Sequence, residues 1–251
     1  MTITSAALRV KSKARTYEDS LTSMDDWSQI FVRVCDDRIL SANAKLAFWV
    51  LVSNSSTPDD NPCEYGTWAS LSGMAKRAGL SFEYLDDGCR ELWANHLIWM
   101  DLLPNGNAAI IKLLPLEDRY PPKAALKTTP RTYEESVKAR GRFVRLSNAV
   151  LRDHELSRSA KLVFMQLVRR SNGYKLHYSN GDLAYGTWVG ENTIADALKM
   201  STDTVKRGMS ELLRRGIILR QNRGQDATSI TFIPDIQRLY TAKKAPAVQS
   251  I

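Results

Sequence analysis

The fold class expected from the sequence is mainly α with small β-hairpins, an α+β protein built as two tandem copies of one unit. Three observations lead there. Short strings recur in the same order along the two halves of the 251 residues. Within each half, apolar residues return at three- and four-residue spacing after a serine, the signature of a capped amphipathic helix. Each half then closes on two short apolar or β-branched runs separated by a turn rich in Gly and Asn.

The repeats set the organisation. RTYEDS at 15–20 returns as RTYEES at 131–136, and FVRV at 31–34 returns as FVRL at 143–146. LSANAKLAFWVLV, from Leu40, returns as LSRSAKLVFMQLV, from Leu156, and EYGTW ending at Trp68 returns as AYGTW ending at Trp188. From there the register holds at 120: Ser81 matches Ser201, Gly88 matches Gly208, Glu91 matches Glu211, Leu92 matches Leu212, Ile98 matches Ile218 and Tyr120 matches Tyr240. The offsets of 116, 112, 116 and 120 differ only where loops change length, as expected for an internal duplication. Two domains of ordinary size follow, 30–120 and 142–240. Residues 1–29 read as a flexible arm, basic over its first fifteen residues and neutral as a whole, 121–141 as an exposed basic linker opening on two prolines, and 241–251 as a flexible tail.

The elements of each copy come in one order. Ser41 and Ser157 precede a helix that carries Leu46, Val50 and Leu51 in the first copy and Leu162, Met165 and Val168 in the second. The YGTW stretch reads as a short strand. A short helix follows (71–78; 192–198), then a tight turn, a serine cap (Ser81; Ser201) and another helix. A strand (97–100; 217–220) and a returning strand (108–114; 228–233) complete the unit.

Helix, helix, turn, helix and hairpin, with the stretch GTWVGENTIADALKMSTDTVKRGMSELLRRGII, resembles the winged helix-turn-helix family found in bacterial regulators and in plasmid and phage replication initiators. The resemblance covers nearly all of both copies. It rests on an alanine-containing first helix, a serine-capped second helix, Glu-Leu, and then Gly-Ile-Ile. It implies a sequence-specific double-stranded DNA-binding protein with tandem winged helices, cytoplasmic and nucleoid-associated. Its role would be plasmid or phage replication initiation, or transcriptional regulation of a mobile element; the sequence does not separate the two.

The candidate reading surface lies in STDTVKRGMSELLRRGIILR, from Ser201. Val205, Met209, Leu212 and Leu213 share one helical face, whereas Asp203, Lys206, Arg207, Ser210 and Arg214 share the other. In the family resembled, this helix enters the major groove and residues near its N-terminus reach base edges. Lys206 and Arg207 are then the base readers, with Ser210 and Asp203 beside them. An arginine forked onto guanine O6 and N7 is worth about 1–3 kcal/mol of discrimination. Thr202 and Thr204, at the helix start, suit phosphate. Arg214 and Arg215 are assigned to phosphate or solvent. In the hairpin, Arg220 and the tip QNRGQD with Arg223 are assigned to the DNA backbone or minor groove. A solvated basic face is the competing reading. The helix macrodipole accounts for Arg214 and Arg215 without any function, but not for the mid-helix Lys206 and Arg207.

The matching helix of the first copy, SFEYLDDGCRELWANHLI, keeps the apolar stripe as Leu85, Cys89, Leu92 and Trp93. Its outward column is Glu83, Asp86, Asp87, Arg90 and Ala94, and three carboxylates there oppose a phosphate backbone. Residues 30–120 carry a net charge of −4 and residues 142–240 carry +7. The first copy is therefore expected to face protein, as a homodimer contact or a docking surface for another partner. Trp49, Trp68, Trp93 and Trp99 are its candidate contact aromatics, with Trp49 and Trp93 expected in the core. Lys76 and Arg77 are the possible weak phosphate contacts of this half.

Bulk composition agrees without deciding. A formal charge of +8 and a pI near 9.4 suit an acidic partner such as nucleic acid. Cys35, Cys63 and Cys89 and His96, His154 and His177 are scattered, so no metal site and no cofactor are expected, and the odd cysteine count points to a reducing compartment. No apolar run approaches the ~18 residues of a membrane span. Phosphate-loop and nucleophile-elbow motifs are lacking, and Asp36-Asp37, Asp59-Asp60 and Asp86-Asp87 read as turn residues and solvated faces, so no enzyme is expected. The alternative function is a protein-interaction scaffold built from winged helices, with only non-specific DNA binding or none.

Overall fold

The computed structural model describes residues 26–56, 65–102, 109–117, 119–121, 133, 136–137, 143–171, 175–177, 183–221, 229–234, 236 and 239–240. The first half runs β1 (Trp27–Phe31), α1 (Val32–Asp36), α2 (Ala42–Ser53), β2 (Gly66–Thr67), α3 (Leu71–Ala78), α4 (Phe82–Ala94), β3 (Ile98–Leu102) and β4 (Ala109–Leu113). The second runs β5 (Phe143–Ser147), α5 (Asn148–Leu151), α6 (Arg158–Ser171), β6 (Lys175–His177), β7 (Leu183–Thr187), α7 (Glu191–Leu198), α8 (Thr202–Arg214), β8 (Leu219–Gln221) and β9 (Ile230–Ile233). The fold is α+β; among the described residues there are three small antiparallel sheets, ordered β1-β5, β2-β4-β3 and β6-β7-β9-β8.

Serines start the helices where the sequence places them. The Oγ atoms of Ser41, Ser81 and Ser201 accept from the backbone N–H of Ala44, Tyr84 and Thr204, and Ser157 Oγ accepts from Ala160. Left-handed residues stop them. Gly79 (φ 64°) follows α3 and Lys199 (φ 52°) follows α7, while His96 (φ 56°) and Gly216 (φ 68°) follow α4 and α8. Glycine takes this conformation freely and other residues do not.

The matched strands differ from the ones the letters pair. WSQIF (27–31) and FVRLS (143–147) share one burial alternation and lie at an offset of 116, whereas FVRV at 31–34 straddles the end of β1 and the start of α1. Burial on the sheet, not identity of side chains, sets the equivalence. The ladder pairs Trp27 with Ser147, Gln29 with Arg145 and Phe31 with Phe143, so at that offset it is symmetric about Gln29–Arg145.

This ribbon and the α2–α6 contact join the halves. Trp49 of α2 stacks on Phe164 of α6 at 6.4 Å, Gln166 Nε2 donates to the Cys35 carbonyl at 2.7 Å, and Arg169 pairs with Asp36 at 2.6 Å. A single buried apolar cluster takes residues from both halves.

Three expectations are corrected. The linker is not wholly exposed: Tyr133, Ser136 and Val137 are buried. The Tyr133 hydroxyl donates to the Gln29 carbonyl and accepts from the Phe31 N–H, and its ring packs edge-on against Phe48 at 5.3 Å. Trp93 is 53% exposed, because α2 fills the stripe of Leu85, Cys89 and Leu92 and leaves the next position at its edge; Trp49 is in the core as expected. Asp36 and Asp37 are partnered rather than solvated. Asp37 accepts from Arg119 (3.0 Å), the Tyr120 hydroxyl (2.8 Å) and the Ile39 N–H (2.7 Å). Its equivalent Asp153 accepts from Arg215 (2.9 Å), the Tyr240 hydroxyl (3.2 Å) and the Glu155 N–H (3.1 Å), so each half is clasped shut at its C-terminal end by one carboxylate. Among the described residues, no helix is long and apolar enough to cross a membrane.

Candidate nucleic-acid interface

α8 lies across α6 with Val205, Met209 and Leu212 buried and Leu213 half-buried. Gly208 permits the approach: a Cβ there would stand 3.1 Å from both the Ser159 carbonyl oxygen and Val163 Cγ2. Glu211 fastens the same helix from its side, accepting the Ser157 N–H at 2.7 Å and the Ser157 hydroxyl. Glu91 of α4 repeats both bonds on Ser41. The match of Glu91 with Glu211 was visible in the letters; its meaning, a carboxylate bound to the first turn of the neighbouring helix, was not.

The opposite face carries the expected column. Asp203, Lys206, Arg207, Ser210 and Arg214 are exposed, and Thr202 and Thr204 are half-buried. Thr202 Oγ1 donates to Asn192 Oδ1 at 3.2 Å, tying the first turn of α8 to α7. Arg207 Nη2 donates to Thr204 Oγ1 at 3.2 Å, and Lys206 Nζ stands 3.7 Å from Asp203, an exposed pair that water and salt screen. Arg220, at the start of the hairpin, pairs with Glu191 at 3.2 Å. Arg223 lies outside the described residues. Arg215 departs from its assignment: Asp153 and Glu155 bind it inward and its side chain is only 19% exposed, so it belongs to the clasp, not to phosphate or solvent.

On α4 the corresponding positions Glu83, Asp87, Arg90 and Ala94 are exposed, and Asp86 is half-buried with Arg90 bound to it at 2.8 Å. Lys76 and Arg77 are exposed at the end of α3, where Arg77 donates to Asn54 Oδ1 at 2.8 Å. Trp68 (45%), Trp99 (41%) and Trp188 (39%) also reach the surface, with Lys112 over the Trp99 ring. Burial pushes the Cys35 and Cys89 thiols up to about 12, which leaves them protonated and unreactive at neutral pH.

Sequence reasoning passed over two buried lysines. Lys45 and Lys161, matched in the α2 and α6 repeats, are both fully buried. Each donates across to the other half: Lys45 to the Ala197 carbonyl at the end of α7, and Lys161 to the Ala78 carbonyl at the end of α3, at 2.6 Å. A carbonyl in the last turn of a helix has no intrahelical partner and carries the negative end of the macrodipole, so it suits a buried ammonium. Their position inside an otherwise apolar repeat was the available signal.

Compared with known proteins, the chain matches no family model, no curated protein and no solved structure.

Proposed function

We propose that the chain is a sequence-specific double-stranded DNA-binding protein made of two winged-helix units that arose by internal duplication, with α8 as the reading helix. The observation that carries this is the division of α8. One face is buried against α6, and the other holds Lys206, Arg207, Ser210 and Arg214 in water, straight after α7 and a tight turn. Major-groove readers need this arrangement: a helix held rigidly by one side, with exposed donors on the other. The charge of +7 on residues 142–240 supplies attraction for phosphate.

The first unit is the protein-facing partner in this reading, as a homodimer contact or a docking surface. Exposed Trp68, Trp93 and Trp99 and the carboxylates of α4 favour that role over DNA contact. The process served is replication initiation or transcriptional regulation on a mobile element, and no catalysis is assigned.

Binding to random and selected duplexes across a salt series tests the proposal. Log affinity should fall linearly with log salt, with a slope of about −0.9 per phosphate contacted. Replacing Lys206 and Arg207 together by alanine should erase site preference. A double variant that footprints like wild type would remove α8 from the reading role.

A further inference from the structure

The turn that aims α8 is held by the other half of the molecule. Lys45, fully buried in α2, donates to the carbonyl of Ala197 in the last turn of α7. Two residues further on, Lys199 occupies the turn itself at φ 52°, a conformation that favours glycine, and its ammonium donates back to the Ile39 carbonyl at 3.2 Å. One lysine reaches into the second half and one reaches out of it, and between them they fix Ala197 to Lys199 against the segment 39–45. The mirror turn is held differently, by two side chains of the second half, with His154 Nε2 3.2 Å from the Arg77 carbonyl. Lys161 donates to Ala78, but Gly79 stands where Lys199 would be and has no side chain to send back.

We infer that Lys45 is a positioning residue for the reading helix: by holding the α7–α8 turn against the first half, it sets the direction in which Lys206 and Arg207 leave the protein. This rests on the reading of α8 as DNA-facing. A forked arginine–guanine contact tolerates little displacement, whereas phosphate contacts tolerate more. Discrimination between sequences therefore depends on a buried side chain in the half that does not read DNA, and non-specific attraction does not. Lys45 is fully buried and has no access to DNA, so its effect travels only through the turn.

The test uses the full chain carrying Lys45→Met, with Lys161→Met as its structural twin. Three quantities are compared: affinity for a selected duplex, affinity for a random duplex with its salt slope, and hydrogen exchange of the backbone amides at 199–205. Lys45→Met should lower the ratio of selected to random affinity about tenfold, within the range of one lost base contact. It should leave the random-duplex affinity and salt slope unchanged and speed exchange at the turn. Lys161→Met should leave the ratio at the wild-type value. If Lys45→Met does not fold cooperatively, Lys199→Gly cuts the return bond while relieving the left-handed turn, and it should lower the ratio without loss of stability. A folded Lys45→Met with wild-type ratio and wild-type exchange overturns the inference, as does an equal loss in Lys161→Met. If wild type prefers no duplex but Lys45→Met still speeds exchange at 199–205, the positioning stands and the DNA reading falls.

Discussion

At the residue scale, Asp37 shows how a carboxylate becomes structural. Burial pushes its carboxyl up, but the Ile39 N–H, the Tyr120 hydroxyl and Arg119 together outweigh burial and hold it below the usual carboxylate range. A carboxyl depressed on folding contributes stability that is complete above its unfolded value and is lost as pH falls through the lower folded value. Urea unfolding between pH 5 and pH 2 should therefore show wild type losing stability steeply, and Asp37→Asn should start lower and fall less. An Asn variant as acid-sensitive as wild type would exclude the clasp as a source of the slope. Lys161 behaves conversely at the alkaline side. Burial pushes its ammonium down to about 8 from the ordinary lysine value of 10.5, with Asp153 and Glu211 resisting. Between those values the unfolded chain binds more protons, so stability should rise with pH from about 8 toward 10.5. Unfolding midpoints measured over that range should rise in wild type and run flatter in Lys161→Met. Neither role was legible in the letters. A pair of adjacent acids looks like a turn until its partners, 82 and 133 residues away, are in place.

At the scale of elements, the sequence was far more informative. Serine caps, the three- and four-residue stripes and the short terminal runs located α2, α3, α4, α6, α7 and α8 and the closing hairpins, because these signals are local and their physics is local. Trp93 marks where that reading stops: helical spacing from Cys89 puts it on the apolar face, but only tertiary contact decides how wide that face is, and α2 does not cover it. The helical glycines were recognised as matches, and the structure gives the reason for them. A Cβ on Gly88 would meet Ala47 Cβ at 2.6 Å and the Asn43 carbonyl oxygen at 2.8 Å, closer than the 3.1 Å contacts awaiting one on Gly208. Overpacking of this kind costs roughly 1–3 kcal/mol. Gly88→Ala should thus destabilise the chain more than Gly208→Ala in chemical denaturation. Gly208→Ala, by lifting α8 from α6, should weaken selected-site binding more than its stability loss accounts for. Midpoints of both variants equal to that of wild type would show that the helices shift to absorb the methyl at no cost.

At the scale of the whole molecule, the halves are alike in plan but not separable in energy. Two tandem domains with an exposed linker imply two units that melt alone. The antiparallel ribbon of β1 with β5, the Trp49–Phe164 stack and the crossed lysines argue otherwise. Long-range pairing of this kind leaves no trace in a one-dimensional pattern: residues 27–29, read from the letters as part of a flexible arm, are the start of β1, paired with β5 and with Ser28 buried. Cutting the second half out would leave β5 with an unpaired edge and Phe164 without its stacked partner. It would also leave Gln166 without the Cys35 carbonyl and Lys161 without the Ala78 carbonyl. Water would take the place of those acceptors, but the apolar core the halves share would be exposed at about 25 cal/mol per Å², against a total stability of only about 5–15 kcal/mol for a domain. The full chain should accordingly unfold in one calorimetric transition whose van't Hoff and calorimetric enthalpies agree. A fragment of residues 142–240 should show no cooperative melt, and should bind duplex without discriminating sequence even though it carries Lys206 and Arg207. Two resolved transitions in the intact chain, or a fragment that melts sharply and keeps the selected-site preference, would mean that the second unit stands alone and that the contacts across the ribbon contribute little.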